Sequence, residues 1–130
     1  MPTPPADLRG VYVLVVEDDP DGLDLVTNVL RWCGAMVTAA TNARSGLAAA
    51  HQVRPHIVVT DIAMPGEDGY WLADQLRAAG IDVPVIAMSA FRPKDRYLGA
   101  RPQTFRRFIT KPMDPLELCR AVQDVVSRAA

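Results

Sequence analysis

Five short apolar runs alternate along the chain with longer segments in which apolar residues recur at helical spacing. The length and β-branched content of these runs are typical of buried strands in a parallel sheet. The first intervening segment shows the helical recurrence at Leu23, Val26 and Leu30, and Gly34 closes it. The predicted strands are residues 11–16, 36–40, 57–61, 83–88 and 107–110.

The segments between these strands predict helices of ordinary length. Helical spacing covers about 22–33, 42–53 and 68–78, and a last helix follows the cap residue Asp114. Phe91 to Arg106 begins as if helical but is interrupted by Gly99 and Pro102, so we expect a short or frayed helix there. The alternation predicts an α/β fold, a (βα)5 doubly wound, flavodoxin-like domain with a five-stranded parallel sheet.

Residues 1–10 precede this pattern and contain three prolines. They show no apolar periodicity, so we expect a flexible leader or linker remnant, with the single domain covering residues 11–130. No apolar run approaches the roughly 18 residues of a membrane span, and no signal-peptide pattern is present. We therefore expect a cytoplasmic protein without membrane contact.

Composition adds little to this picture. Hydrophobic residues make up 49% of the chain, charged residues 22%, and the mean hydropathy is +0.05, as in ordinary globular proteins. Cys33 and Cys119 lie in separate helical patterns without metal-ligand spacing, so we expect two buried, reduced thiols.

Chemically active side chains follow the strands. Glu17 and Asp18 come after the first strand, Asp61 ends the third, Ser89 ends the fourth and Lys111 follows the fifth. Parallel strands place all five at one edge of the sheet, where open α/β sheets build their sites. Carboxylates held close together repel one another unless they share a cation, and Mg²⁺ is a natural choice for an oxygen-rich site.

These residues stand within short motifs that resemble those of a known protein family. The segments Leu14 to Pro20 (LVVEDDP) and Asp61 to Gly69 (DIAMPGEDG), with Ser89-Ala90 and Lys111-Pro112, stand in the order and spacing of a family motif set. The chain resembles a receiver domain of the two-component response regulators, over residues 11 to about 127. The resemblance implies a signalling domain that accepts a phosphoryl group from a histidine kinase or a phosphotransfer protein.

The resemblance also implies roles for individual residues. Asp61 would take the phosphoryl group from a phosphohistidine. Asp18 and Asp61 would bind Mg²⁺ directly, the Ala63 carbonyl would be a third ligand, and Glu17 would act through water. Lys111 would pair with the phosphoryl oxygens.

The output of such a domain depends on a second set of residues. By resemblance, Ser89 would hydrogen-bond a phosphoryl oxygen and Phe108 would be the aromatic switch, here with serine for the commoner threonine and phenylalanine for the frequent tyrosine. Their movement would change the surface formed by the interrupted helix, the fifth strand and the last helix. The Lys111–Pro112 peptide bond is typically cis in this family.

Two other classes of function share features with this sequence. Phosphohydrolases of the haloacid-dehalogenase type also attack with a strand-end aspartate. Their motif is D-x-D, in which the second acid protonates the leaving group, and that second position is Ala63 in this chain. We therefore expect no enzyme activity beyond slow self-dephosphorylation. The alternative is an interaction module that keeps the fold and signals without phosphate. Rossmann dinucleotide binding is excluded because no G-x-G-x-x-G follows the first strand.

Charge placement suggests a kind of partner. Residues 92–111 contain seven Lys or Arg against the single acid Asp95, whereas the formal net charge of the chain is −1. An acidic protein surface, or an attached output or kinase domain, is the expected partner of this basic segment. We do not expect this domain alone to bind nucleic acid, because the chain contains no recognised DNA-reading motif.

Overall fold

The computed structural model describes residues 3–90 and 104–129. Within these ranges, five parallel strands form one sheet in the order β2-β1-β3-β4-β5. The strands are β1 (Tyr12–Val16), β2 (Met36–Ala40), β3 (Ile57–Asp61), β4 (Val85–Ser89) and β5 (Arg107–Thr110), and the helices are α1 (Pro20–Trp32), α2 (Ala43–Gln52), α3 (Gly69–Ala78) and α4 (Pro115–Ala129). The predicted fold class is confirmed.

Three of the helices begin at polar side chains that cap their first turn. Asp19 accepts a hydrogen bond from the Gly22 N–H at 3.0 Å, and Pro20 occupies the first helical turn of α1. Asn42 caps α2 and Asp68 caps α3, each at 2.8 Å from the backbone nitrogen three residues ahead. Each cap satisfies an N–H that the helix itself leaves unpaired, so the starting points of these helices are encoded locally.

The sheet has an apolar core on each face, which explains its nearly continuous hydrophobic strands. Val13 and Val15 of β1 point into a core shared with α1 and α4. Leu14 and Val16 point the other way, into a core shared with α2 and α3. The interrupted helix predicted between Phe91 and Arg106 lies almost entirely outside the described residues.

The described part of the leader packs against the domain, in contrast to the flexible leader predicted from the sequence. Leu8 is fully buried in the core beside α1 and α4. Its N–H donates to the Cys33 carbonyl at 2.7 Å, and its own carbonyl accepts from Val11 N–H at 3.0 Å. A single buried leucine among polar residues leaves no periodic pattern, so this contact could not be predicted from the sequence. We propose that the packed domain begins before residue 11.

Among the described residues, none of the helices is both long enough and apolar enough to cross a lipid bilayer.

Candidate functional site

The site lies at the carboxyl edge of the sheet, where backbone hydrogen bonds continue just beyond the strands. The Glu17 N–H donates to the Ala40 carbonyl at 3.0 Å, and the Lys111 N–H donates to the Ser89 carbonyl at 2.8 Å. Between them, Ile62 N–H donates to the Met88 carbonyl at 3.1 Å. The first loop residues therefore leave the sheet in a defined direction, and the side chains predicted for the site converge.

Three carboxylates meet at this edge. Glu17, Asp18 and Asp61 each contribute an oxygen, and these oxygens lie within 4.8 Å of one another. Glu17 is 1% exposed and Asp61 is 7% exposed, whereas Asp18 is exposed. Two of the three charges are therefore held where water stabilises them poorly, and they need a compensating cation.

Lys111 supplies a positive charge to this cluster. Its Nζ lies 2.5 Å from Glu17 Oε1 and 2.9 Å from Asp61 Oδ2. Burial alone would lower the pKa of the Lys111 ammonium, but the hydrogen bonds to Glu17 and Asp61 raise that pKa above its ordinary value. One ammonium thus bridges the two most buried carboxylates. The sequence placed these residues at one edge but did not indicate that Lys111 and Glu17 pair directly.

The donor set also fits a hard divalent cation. Carboxylate oxygens are the ligands that Mg²⁺ and Ca²⁺ prefer, and three of them face each other here with three formal negative charges against the single charge of Lys111. The exposed position of Asp18 would leave room for water ligands, which Mg²⁺ usually retains. Ala63, the predicted source of a carbonyl ligand, lies exposed in the loop two residues after Asp61.

The loop after Asp61 is kept close to the strand by glycine. Gly66 has φ of +81°, a conformation that glycine adopts without strain. Gly69 begins α3 and its N–H donates to the Ile62 carbonyl at 2.9 Å. A Cβ atom at Gly69 would lie only 2.6 Å from the Asp61 carbonyl oxygen. The absence of a side chain at position 69 therefore lets α3 start against the backbone of Asp61.

We expect Gly69→Ala to destabilise the protein by about 1–3 kcal/mol, the usual range for an added methyl group in a packed position. The new methyl group meets backbone atoms of Asp61 and Ile62, which can yield only by moving the loop. Urea unfolding of the wild type and the variant measures the free energy difference. An unchanged midpoint would show that this close approach is not needed.

Ser89 and Phe108 lie on adjacent strands and on the same side of the sheet. Ser89 is 3% exposed, and it pairs in register with Thr110, two residues after Phe108. Phe108 is half-buried and packs against the core shared with α2 and α3. The Lys111–Pro112 bond is cis.

Two aromatic residues that the sequence did not single out extend the contact of Phe108. Phe105 meets Phe108 edge-on, with ring centroids 5.4 Å apart. Tyr70 of α3 also contacts Phe105, with ring centroids 4.9 Å apart. The sequence did not predict these contacts, because Phe105 lies in a segment without periodicity and Tyr70 lies in the first turn of a separate helix. Any inward rotation of Phe108 would have to be accommodated by these rings.

The topology and the acid-lined edge define a class of protein, the doubly wound, flavodoxin-like α/β domain with a polar site at the carboxyl ends of its strands. A family model, described as the response regulator receiver domain, matches residues 13–123. The chain belongs to this receiver-domain family. Membership supports a phosphoacceptor signalling role in general, and implies histidine kinases or phosphotransfer proteins as partners in general.

Individual relatives agree with this assignment. The chain is 43% identical over 119 residues to an uncharacterized 14.6 kDa protein in the sodA1 3′ region of Leptolyngbya boryana, covering 89% of this chain and 90% of that protein. It is 31% identical over 117 residues to protein PilH of Pseudomonas aeruginosa, covering 88% and 97%. The receiver domain of Francisella response regulator 1452 is similar in structure, with a TM-score of 0.85, 26% identity and coverage of 93% and 100%.

The length of the relatives varies. The chain is also 31% identical to the uncharacterized transcriptional regulatory protein YbdJ of Bacillus subtilis. The aligned region covers 92% of this chain but only 52% of YbdJ. The chain thus spans about half the length of such a regulator.

Proposed function

We propose that this domain is a signalling switch that accepts a phosphoryl group on Asp61 from the phosphohistidine of a histidine kinase or a phosphotransfer protein. The observation that carries the proposal is the convergence on Asp61 of two further carboxylates and of the Lys111 ammonium, 2.9 Å from Asp61 Oδ2. Asp61 offers a nucleophilic carboxylate oxygen, and the Lys111 ammonium beside it can balance negative charge on an incoming phosphoryl group.

The transfer of a phosphoryl group to Asp61 requires little acid or base catalysis from the protein. An Asp61 oxygen forms a bond to phosphorus while the bond from phosphorus to the donor nitrogen breaks, and the donor imidazole keeps the released electron pair. A carboxylate oxygen is itself a nucleophile, so Asp61 needs no neighbouring base to activate it. Lys111 is placed to exchange its contact with Glu17 for one with the new phosphoryl oxygens, because a single ammonium can offer three hydrogen bonds.

The proposed cofactor is Mg²⁺, bound directly by Asp18, Asp61 and the Ala63 carbonyl, with Glu17 acting through water. When bound, the ion would neutralise charge on the phosphoryl oxygens. Support for this set comes from the three oxygens within 4.8 Å and from the oxygen-only donor chemistry.

The proposed response to phosphorylation starts at Ser89 and Phe108. A phosphoryl group adds about −1.5 to −2 charge and three acceptor oxygens at Asp61. Ser89 would donate to one of these oxygens, and Phe108 would then turn toward the space that Ser89 leaves. The shared sheet face and the in-register pairing of Ser89 with Thr110 support this route. The surface altered would include β5, α4 and the segment between Phe91 and Arg106, for which the sequence predicts an interrupted helix.

We propose a switch without turnover of external substrates. Position 63, two residues after the acceptor, is an alanine and cannot protonate a leaving group. Dephosphorylation would therefore be the slow hydrolysis of the domain's own acyl phosphate. We propose that the domain acts in the cytoplasm.

The proposed downstream partner is an acidic protein surface or an attached output or kinase domain. Much of the basic segment that motivates this proposal lies outside the described residues. Within the described part, Arg106 is exposed, whereas Arg107 is already paired with Asp124 of α4. Arg107 therefore contributes less free positive charge to a partner than the sequence suggested.

The test of the proposed function is phosphorylation of the purified chain by a small phosphodonor. We expect acetyl phosphate with Mg²⁺ to add the mass of one phosphoryl group, which hydroxylamine or mild base removes, as for an acyl phosphate. Chelation of the metal with EDTA should prevent the addition. If no adduct forms with acetyl phosphate or with a phosphorylated histidine kinase, the domain signals without phosphate and the proposal is wrong.

A second prediction concerns metal binding. Asp18→Asn should weaken Mg²⁺ binding by about tenfold or more. Even the loss of a residue that only hydrogen-bonds a metal ligand lowers metal affinity by about 10–100-fold. Titration calorimetry, or the rise in melting temperature with added Mg²⁺, measures the change. Asp21→Asn is the matched control, because Asp21 is an exposed acid three residues away in the first turn of α1. Equal affinities in the two variants would remove Asp18 from the metal site.

A further inference from the structure

A pair of thiols bridges two helices in the core next to α1 and α4. Cys33 is the C-cap residue directly after α1, and Cys119 lies on α4. Both are buried, free cysteines, as predicted, and their sulfur atoms are 3.0 Å apart. Ordinary non-bonded heavy atoms are about 3.5–4.0 Å apart, and a disulfide bond is about 2.05 Å long. A movement of about 1 Å therefore separates this contact from a covalent bond.

The two thiols differ in their access to solvent. Cys33 is 3% exposed and Cys119 is fully buried. Cys33 also lines a surface cavity of about 510 Å³ that lies between the leader, the end of α1 and Gln123 of α4. A small polar molecule can reach the neighbourhood of Cys33 through this cavity, whereas Cys119 is not among the residues that line it.

A metal site does not explain the pair. A soft metal ion bound by cysteine usually has four ligands, such as Cys₄ or Cys₂His₂. In residues 3–90 and 104–129, the one group of three or more potential metal ligands is the acidic cluster around Asp61. The two thiols thus lack the additional ligands that a structural zinc site requires.

We propose that Cys33 and Cys119 are an oxidation site that closes into an intramolecular disulfide joining α1 to α4, with a peroxide as the oxidant and Cys33 as the thiol that reacts first. This site is separate from the proposed phosphoacceptor function and does not depend on it.

The two steps balance with one peroxide molecule. The Cys33 sulfur, after losing its proton, bonds to one peroxide oxygen as the O–O bond breaks, giving a sulfenic acid and a hydroxide that takes up that proton as water. The Cys119 sulfur then bonds to the Cys33 sulfur as the S–O bond breaks, and the departing hydroxide leaves with the Cys119 proton as a second water. Two thiols are oxidised, and hydrogen peroxide is reduced to two waters.

The order of the two thiols follows from their surroundings. Burial raises the pKa of the Cys119 thiol well above its ordinary value, because it disfavours the thiolate. Cys119 therefore stays protonated at neutral pH and is a poor first nucleophile, since the thiolate is the reactive form. Its position against the Cys33 sulfur suits it to the second step, which needs proximity more than access.

The disulfide would tie together distant parts of the chain. Cys33 and Cys119 are 86 positions apart in sequence, so the bond would restrict a long loop of the unfolded chain and stabilise the folded one. We expect oxidation to raise the melting temperature by about 5–15 °C and a reductant to reverse the rise.

The experiment uses the full chain, reduced and then freed of reductant, and treats it with hydrogen peroxide. The expected product is a monomer that has lost two hydrogens, with a Cys33–Cys119 cross-linked peptide in the digest and both thiols lost together to alkylation. The treated protein is then denatured and alkylated. If both thiols still react with the alkylating agent, the buried pair does not oxidise in the folded protein and the inference is overturned. This measurement needs no variant.

Two variants test the order of reaction. In Cys119→Ala, Cys33 should stop at the sulfenic acid, which dimedone traps; in Cys33→Ala, Cys119 should not be labelled by dimedone. Stronger labelling of Cys119 than of Cys33 would overturn the assignment of Cys33 as the first thiol. Circular dichroism before treatment establishes that each variant is folded.

Discussion

The Asp61→Asn variant should incorporate no phosphoryl group from acetyl phosphate and Mg²⁺ under conditions that label the wild type fully. Asparagine keeps the size of the side chain and removes the nucleophilic carboxylate oxygen, so the expected effect is complete loss rather than a reduced rate. Intact mass spectrometry measures the added phosphoryl group, and peptide mapping gives its position. The nearby Glu17 and Asp18 should remain unmodified.

The matched control for this variant is Asp82→Asn. Asp82 is an exposed acid in the turn before β4, at the opposite edge of the sheet, so the same chemical change there should leave labelling intact. Labelling of Asp61→Asn to the wild-type level would mean that another residue is the acceptor. Labelling that moves to Glu17 or Asp18 would mean that the pocket is correct and that the acceptor is not unique.

The Lys111→Met variant should lose about 2–3 kcal/mol of folding free energy in the absence of divalent cations, because two carboxylates lose their ammonium partner. Methionine keeps an apolar stem of similar length, so the change isolates the ammonium that bridges Glu17 and Asp61. Leaving a fully buried charge without its partner costs about 3–5 kcal/mol. We expect less because 29% of the Lys111 side chain is exposed. Urea unfolding measures the difference.

Two companion variants separate charge from packing. Lys111→Arg keeps the positive charge and should lose less stability than Lys111→Met. Adding Glu17→Gln to Lys111→Met removes one of the two unpaired carboxylates and should recover part of the loss, as in a double-mutant cycle. If the methionine variant is as stable as the wild type without metal, the bridge contributes nothing to the folded state.

The dependence on pH follows from the raised pKa of Lys111. A group whose pKa is raised on folding contributes its full stabilisation below its unfolded pKa and loses it as the pH rises through the folded value. The unfolded pKa of lysine is about 10.4. The stability difference between the wild type and Lys111→Met that comes from the ammonium should therefore be constant from neutral pH to about pH 9.

Several features of the fold were predictable because they depend on neighbours in sequence. The caps Asp19, Asn42 and Asp68 begin their helices as local hydrogen-bonding rules require. The strand pattern predicted a parallel sheet, and parallel strands necessarily bring their carboxyl ends to one edge. For that reason, the meeting of Glu17, Asp18 and Asp61 could be expected before any distance was known.

Other features were not predictable because they depend on residues far apart in sequence. Leu8 is buried against Cys33, although the leader around it reads as polar and rich in proline. The Tyr70–Phe105–Phe108 contacts join a helix, an irregular segment and a strand. No periodicity connects such positions, since side chains of separate elements meet only after the helices dock on the sheet.

The sequence by itself determined the class of fold, the edge at which the polar residues gather and the kinds of side chain found there. The tertiary structure decided which of these groups touch. Lys111 bridges Glu17 and Asp61 because the sheet order places only β3 and β4 between β5 and β1. Cys33 and Cys119 meet because α1 and α4 share one face of the sheet. Local propensity acts over a few residues, whereas these pairings depend on how whole elements are ordered and packed.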